Sequence, residues 1–497
     1  MSAGRLDAAW LARMRAAGGP QGFSLPRYEP SAHGVGIVHL GVGAFHKAHQ
    51  AVYTDDALAR HGGDWRIAGI SLRSSSAAES LDPQDGLYSL LVRDGLQTRT
   101  RVIGSLAHVI AAGDQPASAR SALIQPGVKI VSMTVTEKAY GIDRATGAIQ
   151  HAHPAVAHDL DHLSAPTGVL GLLVWAIRER LRLGRAPLTV LCCDNLPGNG
   201  TLVRAAVRDF ADQVEHGLGN WIADHVAFPC TMVDRITPAP TPTTAADAAR
   251  ILGCEDQAAV ETEPFSMWVV EDDFPAGRPA WEAEGAILVD DVRPYEQMKL
   301  RVLNGAHSML AYAGHVIGYR YVRDVMADHR LAAAVDVYMQ GAIRTLKPVS
   351  GIDFAEYALA LQRRFANPAI AHETYQIAMD GTEKLPQRIL DSARAALEGG
   401  QDLRPFAFAV AAWMRYCQGV TEGGQRYALR DPREDEIQDA VRRSDGSARS
   451  LAMALMALPA LFPPELVSAP AWQREVVGVL ETMLTGGVAS ALPRLPS

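Results

Sequence analysis

The chain has 497 residues, with 47 Lys and Arg against 55 Asp and Glu, and a net charge of −8. This length exceeds that of one ordinary domain and predicts two or three hydrophobic cores. The charge is spread without a basic block, which argues against nucleic acid or an anionic membrane as a partner. No apolar run approaches the roughly 20 residues of a membrane helix, and the N-terminal segment is more typical of a surface helix than of a signal peptide.

Residues suited to metal binding are scattered rather than grouped. Five cysteines include the adjacent Cys192 and Cys193, but their spacing matches neither a CxxC motif nor a zinc site. His46 and His49 lie three residues apart, without a further ligand nearby. We therefore expect no metal site, and buried thiols in a reducing cytoplasm.

The first three fifths of the chain alternate apolar, strand-like runs with amphipathic segments. This alternation predicts βαβ units on a parallel sheet, and so an α/β fold. Strands are predicted at 35–43, 66–73, 89–94, 100–106, 128–138, 187–195 and 286–292, and helices at 44–62 and 167–184.

From about residue 294 the composition changes to long Ala- and Leu-rich stretches. Their apolar residues recur with helical periodicity, which predicts a mostly α-helical second domain. The stretches are 299–318, 331–346, 353–365, 385–400 and 406–419. We therefore expect one domain over residues 1–292 and a second over residues 293–497.

The segment HLGVGAFHKAHQ, residues 39–50, connects the first predicted strand to the first predicted helix. Gly41 and Gly43 would let the backbone approach a pyrophosphate at the start of that helix. The third glycine of the dinucleotide fingerprint is missing, so an ordinary strand-to-helix connection is an equally good interpretation.

The second predicted strand lacks a residue that NAD-binding folds usually carry. An acidic residue normally follows this strand and holds the ribose hydroxyls. Here the strand ends in Arg73 followed by Ser74, Ser75 and Ser76. Arg73 with these serines could accept a 2′-phosphate, so the choice between NAD and NADP stays open.

The segment EQMKLRVLNGAHSML, residues 296–310, places three polar residues within an apolar helical stripe. At 100° per residue, Lys299 lies about 80° from His307 and about 140° from Asn304, so the three can converge on one cleft. Burial lowers the pKa of a lysine and makes it a usable general base, with the amide and imidazole holding a hydroxyl. A lysine reaching to solvent beside a core histidine is the alternative interpretation.

Polar residues also follow apolar strands elsewhere. Asp194 and Asn195 end one predicted strand, where open α/β sheets bind ligands, although Asp, Asn, Pro and Gly also form ordinary loops. Asp234 and Arg235 follow another apolar run and would also suit a structural ion pair. Glu137 lies at a further strand end, a plausible place for a cofactor contact.

A last polar group lies in MDGTEKLPQR, residues 379–388. Asp380, Lys384 and Arg388 surround a glycine and a proline there. A solvated loop is the default interpretation, and an anion site is the alternative.

Taken together, these segments resemble the long-chain mannitol dehydrogenase family of polyol-specific, NAD-dependent dehydrogenases. The resemblance covers nearly the whole chain, and VDRITP and KLRVLNGAHS are its most specific motifs. HETYQIAMDGTEKLPQR is most similar to the fructuronate reductase (D-mannonate oxidoreductase) branch. The other matching segments are HLGVGAFHKAHQAVYTD, VSMTVTEKAY, CDNLPGNG, FPCTMVDRITP, EPFSMWVVEDDF and GRPAWE.

The resemblance implies a Rossmann-type, doubly wound N-terminal domain followed by a mostly helical substrate domain. It also implies metal-independent catalysis by Lys299, with Asn195, Asn304 and His307 orienting the substrate. Candidate cofactor-binding residues are Gly41, Gly43, Ala44, Phe45, Arg73, Glu137 and Asp234, and candidate substrate-binding residues are Val233, Asp234, Gln376, Lys384 and Arg388. Gln376 stands where mannitol-type members tend to carry an arginine.

The resulting hypothesis is reversible hydride transfer between NAD and a sugar acid, interconverting D-fructuronate and D-mannonate. NADP is not excluded as the cofactor. The partners would be a small sugar acid or polyol, with neither nucleic acid nor membrane, in a cytoplasmic monomer or small homo-oligomer. The alternatives are a mannitol 2-dehydrogenase or related polyol dehydrogenase, a non-catalytic dinucleotide-binding regulator, and a zinc-dependent alcohol dehydrogenase, which the missing ligand spacing disfavours.

Overall fold

The structure is a computed structural model that describes residues 4–143 and 146–492, without the side chain of Glu137. The chain divides into two compact units, Met1–Arg293 and Pro294–Ser497. In the described part of the chain, no helix is long and apolar enough to cross a membrane. Each of the five cysteines is buried and free.

The first unit contains twelve strands in its described residues. They are β1 Phe23–Ser24, β2 Val35–Leu40, β3 Arg66–Ser71, β4 Tyr88–Asp94, β5 Gln97–Ile103, β6 Leu106–Ala111, β7 Ile130–Met133, β8 Thr189–Cys192, β9 Thr231–Asp234, β10 Val260–Thr262, β11 Met267–Glu271 and β12 Ile287–Val289.

Five of these strands form a parallel central sheet in the order β6-β3-β2-β7-β8. In chain order this is 3-2-1-4-5, the arrangement of a dinucleotide-binding doubly wound sheet. Leu40 pairs with Met133 and Met133 with Cys192, so these strands end at one level. Segments following β2, β7 and β8 therefore meet at one edge of the sheet, and the predicted Rossmann-type fold is confirmed.

The central strands are buried on both faces, which explains their nearly continuous apolar runs. Successive side chains point to opposite faces, so Val38 and Leu40 pack into one core and Ile37 into another. The first core includes apolar residues of a long helix beginning at Val169. The second core contains the fully buried Trp268.

Two smaller sheets complete the first unit, in the orders β1-β5-β4-β10 and β12-β11-β9. The single strand predicted at 100–106 is wrong. β5 ends at Ile103 after pairing antiparallel with β4, and β6 begins at Leu106 in the central sheet. The chain changes sheets at Gly104, whose N–H donates to Asp55 at 2.8 Å.

Helices connect the strands of the first unit. They are α1 Ala8–Ala16, α2 Ala44–Ala48, α3 Gln50–His61, α4 Ser76–Leu81, α5 Pro116–Leu123, α6 Pro154–Asp161, α7 Val169–Arg182, α8 Asn199–Val214, α9 Leu218–His225 and α10 Pro242–Leu252, with 3₁₀ turns at Pro30–Ala32, Asp82–Gln84, Glu137–Ala139 and Trp281–Glu284. The helix predicted at 44–62 is interrupted at His49, which separates α2 from α3.

The second unit is mostly helical in its described residues, as predicted. Its helices are α11 Arg293–Met298, α12 Gly305–Ile317, α13 Val322–Ala327, α14 His329–Arg344, α15 Phe354–Phe365, α16 Thr374–Ala378, α17 Gly381–Leu385, α18 Asp391–Glu398, α19 Arg404–Tyr416, α20 Glu434–Arg443, α21 Ala448–Met456, α22 Pro464–Ser468 and α23 Pro470–Gly486, with a 3₁₀ turn at Val488–Ala491. α19 is apolar on nearly every side and is almost wholly buried, as expected of a central helix.

Two π-helical segments interrupt the helices of the second unit. Lys299–Asn304 joins α11 to α12, and Pro386–Leu390 joins α17 to α18. The α-helical geometry predicted around Lys299 is therefore wrong for six residues, and the loop predicted at 379–388 is helical from Gly381 onward. π segments are rare and are frequent at functional sites.

Candidate functional site

The glycine turn after β2 leaves a shallow cradle at the edge of the central sheet. Gly41 has φ of +93°, and a Cβ atom there would overlap the carbonyl oxygen of Thr134. Its N–H donates to Ile70 at 2.9 Å, and the Thr134 hydroxyl donates to its carbonyl at 2.9 Å. Gly43 is the N-cap of α2, and a Cβ there would meet open space apart from one atom at 3.9 Å. A dinucleotide phosphate therefore fits against this backbone, as in other doubly wound sheets.

Next to this turn lies a pair of buried histidines, and the sequence did not predict their pairing. His39 reaches the hydroxyls of Ser132 and Thr134 at 2.8 and 2.9 Å. His46 stacks on it with ring centroids 3.5 Å apart. Burial lowers the pKa of His39 to about 3 and that of His46 well below its ordinary value, so both rings are neutral. The two rings support the turn from below.

The neighbouring cofactor candidates lie on α2 and at the end of β3. Ala44 and Phe45 form the first turn of α2, and Phe45 stacks on His49 with centroids 4.9 Å apart. Arg73 is exposed beyond β3, in a loop where the hydroxyls of Ser74 and Ser76 lie 2.7 Å apart. Arg73 makes no ion pair with any described residue.

The segments after β7 and β8 are hydrogen-bonded to each other through Asp194. Its carboxylate accepts from the Tyr140 hydroxyl at 2.5 Å and from the Val135 N–H at 3.1 Å. Burial raises the pKa of Asp194 to about 6. Asn195, the next residue, is exposed. Glu137 lies between the two donors, but its side chain is outside the described part of the structure.

β9 brings Val233 and Asp234 into the first unit as buried residues. Arg235 follows them and donates to the carbonyls of Ala48 and Glu263. Burial lowers the pKa of Arg235 to about 10. This guanidinium therefore anchors the end of β9 to the backbone.

In the second unit, two of the three polar residues predicted from the apolar stripe lie in the π segment, and the third, His307, lies on α12. Lys299 and Asn304 are its first and last residues, exposed by only 7% and 6%. A π segment bonds residue i to i+5, so these two are neighbours on successive turns, as residues four apart are in an α-helix. The geometry thus brings Asn304 closer to Lys299 than the 140° predicted for an α-helix.

His307 lies one turn further along, enclosed by aromatic rings. Phe365 stacks on it with centroids 5.1 Å apart, and His372 meets it edge-on at 4.7 Å. Burial, reinforced by His372 and Arg388, lowers the pKa of His307 well below its ordinary value. Its Nε2 and the Asn304 Nδ2 are buried without a partner among the described residues. Such atoms are costly in a folded protein unless something binds them.

Two cationic residues, one on α17 and one in the second π segment, lie near His307. Lys384 donates to the Met379 carbonyl at 2.6 Å and lies 3.5 Å from the Asp380 carboxylate. Arg388 donates to the Ser308 hydroxyl at 3.2 Å, and its Nε has no partner among the described residues. Burial lowers the pKa of both side chains. Arg388 therefore presents a positive charge that no described carboxylate pairs with.

The backbone of Arg388 is fixed where the two π segments meet. Its carbonyl accepts from the Tyr338 hydroxyl at 3.1 Å, and a Cβ on Gly305 would come within 2.6 Å of that carbonyl. Only glycine allows this approach. Gln376 lies on α16 as an exposed residue. Among the described residues, no group of three or more His, Cys, Asp or Glu could hold a metal ion.

Two family models match this chain. The mannitol dehydrogenase Rossmann domain matches residues 35–283, and the mannitol dehydrogenase C-terminal domain matches residues 291–484. The chain belongs to the mannitol dehydrogenase family. It is therefore an oxidoreductase acting on CH–OH groups, and the resemblance predicted from its motifs is confirmed.

Three members of the family illustrate the relationship. The chain is 42% identical over 435 residues to D-mannonate oxidoreductase of Escherichia coli (86% of this chain, 89% of the relative). It is 36% identical over 500 residues to mannitol 2-dehydrogenase of Aspergillus terreus (99% of each). Among solved structures, Pseudomonas fluorescens mannitol 2-dehydrogenase in complex with NAD and D-mannitol has a TM-score of 0.83 at 36% identity, covering 98% of each chain.

The sequence patterns did not identify several residues that lie near the candidate site residues. His39 was detectable, because a histidine within the apolar run of β2 requires polar partners. Tyr140, Ser308 and His372 carry no such signal, because each reaches its partner only through the fold. Phe365 looked like any apolar residue of an amphipathic helix.

Proposed function

We propose that this protein is an NAD-dependent dehydrogenase that interconverts D-fructuronate and D-mannonate. The cofactor accepts or supplies a hydride when bound. Gly41 and Gly43 would hold its pyrophosphate, with Ala44, Phe45, Arg73, Glu137 and Asp234 as further candidate contacts. The fit of the glycine turn, and the NAD complex of the Pseudomonas fluorescens relative, support this cofactor.

The positive charge of Arg388 is the observation that carries the choice of a sugar acid. Its guanidinium is largely enclosed, touches a hydroxyl rather than a carboxylate, and keeps Nε without a partner. A planar guanidinium binds a carboxylate through two parallel hydrogen bonds, which a neutral polyol cannot offer. Lys384, whose ammonium lies 3.5 Å from the Asp380 carboxylate, adds a second cation to this region. The D-mannonate oxidoreductase relative is consistent with this assignment.

Lys299 is the proposed acid and base. In ketone reduction its ammonium donates a proton to the developing alkoxide, and in alcohol oxidation the neutral amine removes the hydroxyl proton. Asn304, five residues along the π segment, would donate to the same oxygen through its partnerless Nδ2. Asn195 is proposed as a second amide at this oxygen.

Neutral His307 would orient the substrate. Its Nε2 can donate to or accept from a sugar hydroxyl, depending on the tautomer. Phe365 and His372 restrict the ring to one plane, so the substrate hydroxyl meets a fixed partner. Gln376 and Val233 are proposed as further substrate contacts, with Gln376 leaving room that an arginine would fill.

Initial rates with D-mannonate and D-mannitol, measured side by side with NAD and NADP, test this function. We expect mannonate to be far better, with no loss of rate in a chelator. Arg388→Met should raise the KM for mannonate about 10- to 100-fold, as expected for losing a hydrogen bond between charged groups. The rate with mannitol should change little.

Arg301→Met is a matched control, because Arg301 is a half-buried guanidinium of the π segment that donates instead to the Thr345 carbonyl at 3.1 Å. Its KM for mannonate should stay close to that of the unmodified protein. A mannitol rate above the mannonate rate would move the protein to the polyol branch of the family. Absence of turnover with every sugar acid and polyol would contradict the proposed chemistry.

A further inference from the structure

A set of buried and partly buried hydrogen bonds runs along the edge of the central sheet where β2, β7, β8 and β9 meet. It begins at His39, which contacts Thr134 at 2.9 Å, and Thr134 donates to Gly41. The next residue, Val135, donates to the Asp194 carboxylate. These contacts join the glycine turn to the segments after β7 and β8.

The same set continues from Asp194 to β9 through a buried amide. Asn199 Nδ2 donates to the Asp194 carbonyl at 3.0 Å and to the Thr231 carbonyl at 3.0 Å. Its Oδ1 accepts from the Thr231 N–H at 2.9 Å. Asn199 has no exposed surface, and Thr231 begins the strand that carries Val233 and Asp234.

We propose that Asp194 is a positioning residue that holds the segment after β7 and the loop bearing Asn195 in the arrangement that binds the nicotinamide cofactor. The inference rests on the proposed function for the role of Asn195, and it adds a residue whose carboxylate acts through its neighbours. Tyr140 and Val135 lie at the two ends of one segment, and both donate a hydrogen bond to that carboxylate. The segment is therefore held at both of its ends.

The charge on Asp194 makes this arrangement dependent on pH. Among the described side chains, the titratable groups facing it are Tyr140, Cys192 and Cys193, and burial raises the pKa of each, so all three stay neutral. Burial also raises the pKa of Asp194 to about 6. Hydrogen bonds to a carboxylate are stronger than those to a neutral acid, so protonation below pH 6 weakens the grip on Val135 and Tyr140.

Reduction of fructuronate is the direction that isolates this effect. Lys299 must be an ammonium in that direction, and low pH keeps it charged. Loss of kcat/KM as the pH falls through about 6 is then assigned to Asp194.

The test combines Asp194→Asn with Tyr140→Phe, and measures NADH affinity by fluorescence titration and kcat/KM between pH 5 and 9. Asp194→Asn keeps the shape but not the charge. We expect it to weaken NADH binding about tenfold, to lower kcat/KM about 10- to 100-fold at pH 8, and to abolish the loss near pH 6. Tyr140→Phe should act in the same direction with a smaller effect, and Asp194→Glu should restore the pH dependence.

Asp159→Asn is the matched control. Asp159 is a buried carboxylate of the same unit that accepts from the Thr167 and Gly168 N–H groups at 2.8 and 2.7 Å, and among the described residues it makes no hydrogen bond to Val135, Tyr140 or Asn199. It should lower Tm without changing NADH affinity or the pH profile. An equal loss of affinity in this variant would reduce Asp194 to a general structural role and overturn the proposal.

NADH affinity and a pH profile unchanged in Asp194→Asn would overturn it directly. If that variant does not fold, Tyr140→Phe decides, and wild-type affinity there also overturns the proposal. The titration separates this inference from the proposed function. A protein that binds NADH through Asp194 but reduces no sugar acid would refute the reaction while supporting the positioning role.

Discussion

Two polar regions of this molecule differ in whether their polar side chains have hydrogen-bond partners within the protein. At the sheet edge, Asp194 and Asn199 are hydrogen-bonded to backbone and side chains, so both of these side chains have partners within the protein. In and beside the two π segments, buried atoms of Asn304, His307 and Arg388 have no partner among the described residues. A satisfied network specifies one arrangement, whereas partnerless buried atoms gain free energy from a ligand that pairs with them.

The difference indicates a division of roles. The sheet edge is a scaffold whose substitution should change geometry and affinity. The π segment carries the groups proposed to meet substrate, so its substitution should change the reaction itself. A sheet-edge variant that changes only the reaction, or a π-segment variant that changes only geometry and affinity, would contradict this division.

The largest effect is expected for Lys299→Ala. Removing the proposed acid and base should lower kcat about 10²- to 10⁴-fold, while Tm and NADH affinity change little. Initial rates and an NADH titration on the same preparation measure both. A variant that turns over normally would refute the lysine mechanism, and one that loses NADH binding would place Lys299 with the scaffold.

A smaller effect, on stability rather than on chemistry, is expected for Gly41→Ala. Its φ of +93° and the overlap with Thr134 should together cost about 3 kcal/mol or more in the free energy of unfolding. Gly43→Ala is the matched control, because its φ of −114° and open surroundings accept a methyl group. We expect it to keep Tm but to weaken NADH binding, since the methyl group would occupy the cradle. Chemical denaturation and NADH titration of both variants would separate the two glycines.

Much of the fold followed from the sequence because apolar runs bounded by glycines mark buried parallel strands. The strand at 100–106 failed because a run of β-formers does not reveal that the chain changes sheets at Gly104. Side-chain pattern alone gives pairing register only where one face is polar, and here both faces are buried.

The sequence identified the candidate residues in the second unit, but it did not predict the π-helical geometry of the backbone that carries them. Apolar residues around Lys299 fit an α-helix and a π segment equally well, so the extra residue per turn left no signal. Gly381 and Pro386 suggested a loop. In the structure, a Cβ on Gly381 would meet the Trp413 ring, and Pro386 begins a π segment, where its missing N–H removes no bond within the segment.

The smallest expected effect is on the pH dependence of the unfolding free energy, and it concerns Asp194 at the sheet edge. Asp194 has a pKa raised from its ordinary 3.8 to about 6, so between these values the folded protein binds more protons than the unfolded chain. The contribution of this group to stability is therefore greatest below pH 4 and falls as the pH rises through 6, by at most about 3 kcal/mol.

Asp194→Asn removes this titration. Relative to the unmodified protein, the variant should gain about 1 kcal/mol or more in unfolding free energy between pH 4.5 and pH 7.5, measured by urea denaturation at both values. A gain in stability together with weaker NADH binding is the result expected if the charged Asp194 carboxylate destabilises the fold but holds the segments that bind the cofactor. If the stability difference is the same at both pH values, the carboxylate is not buried as a charge, and the sheet edge would owe its order to Tyr140 and Asn199 instead.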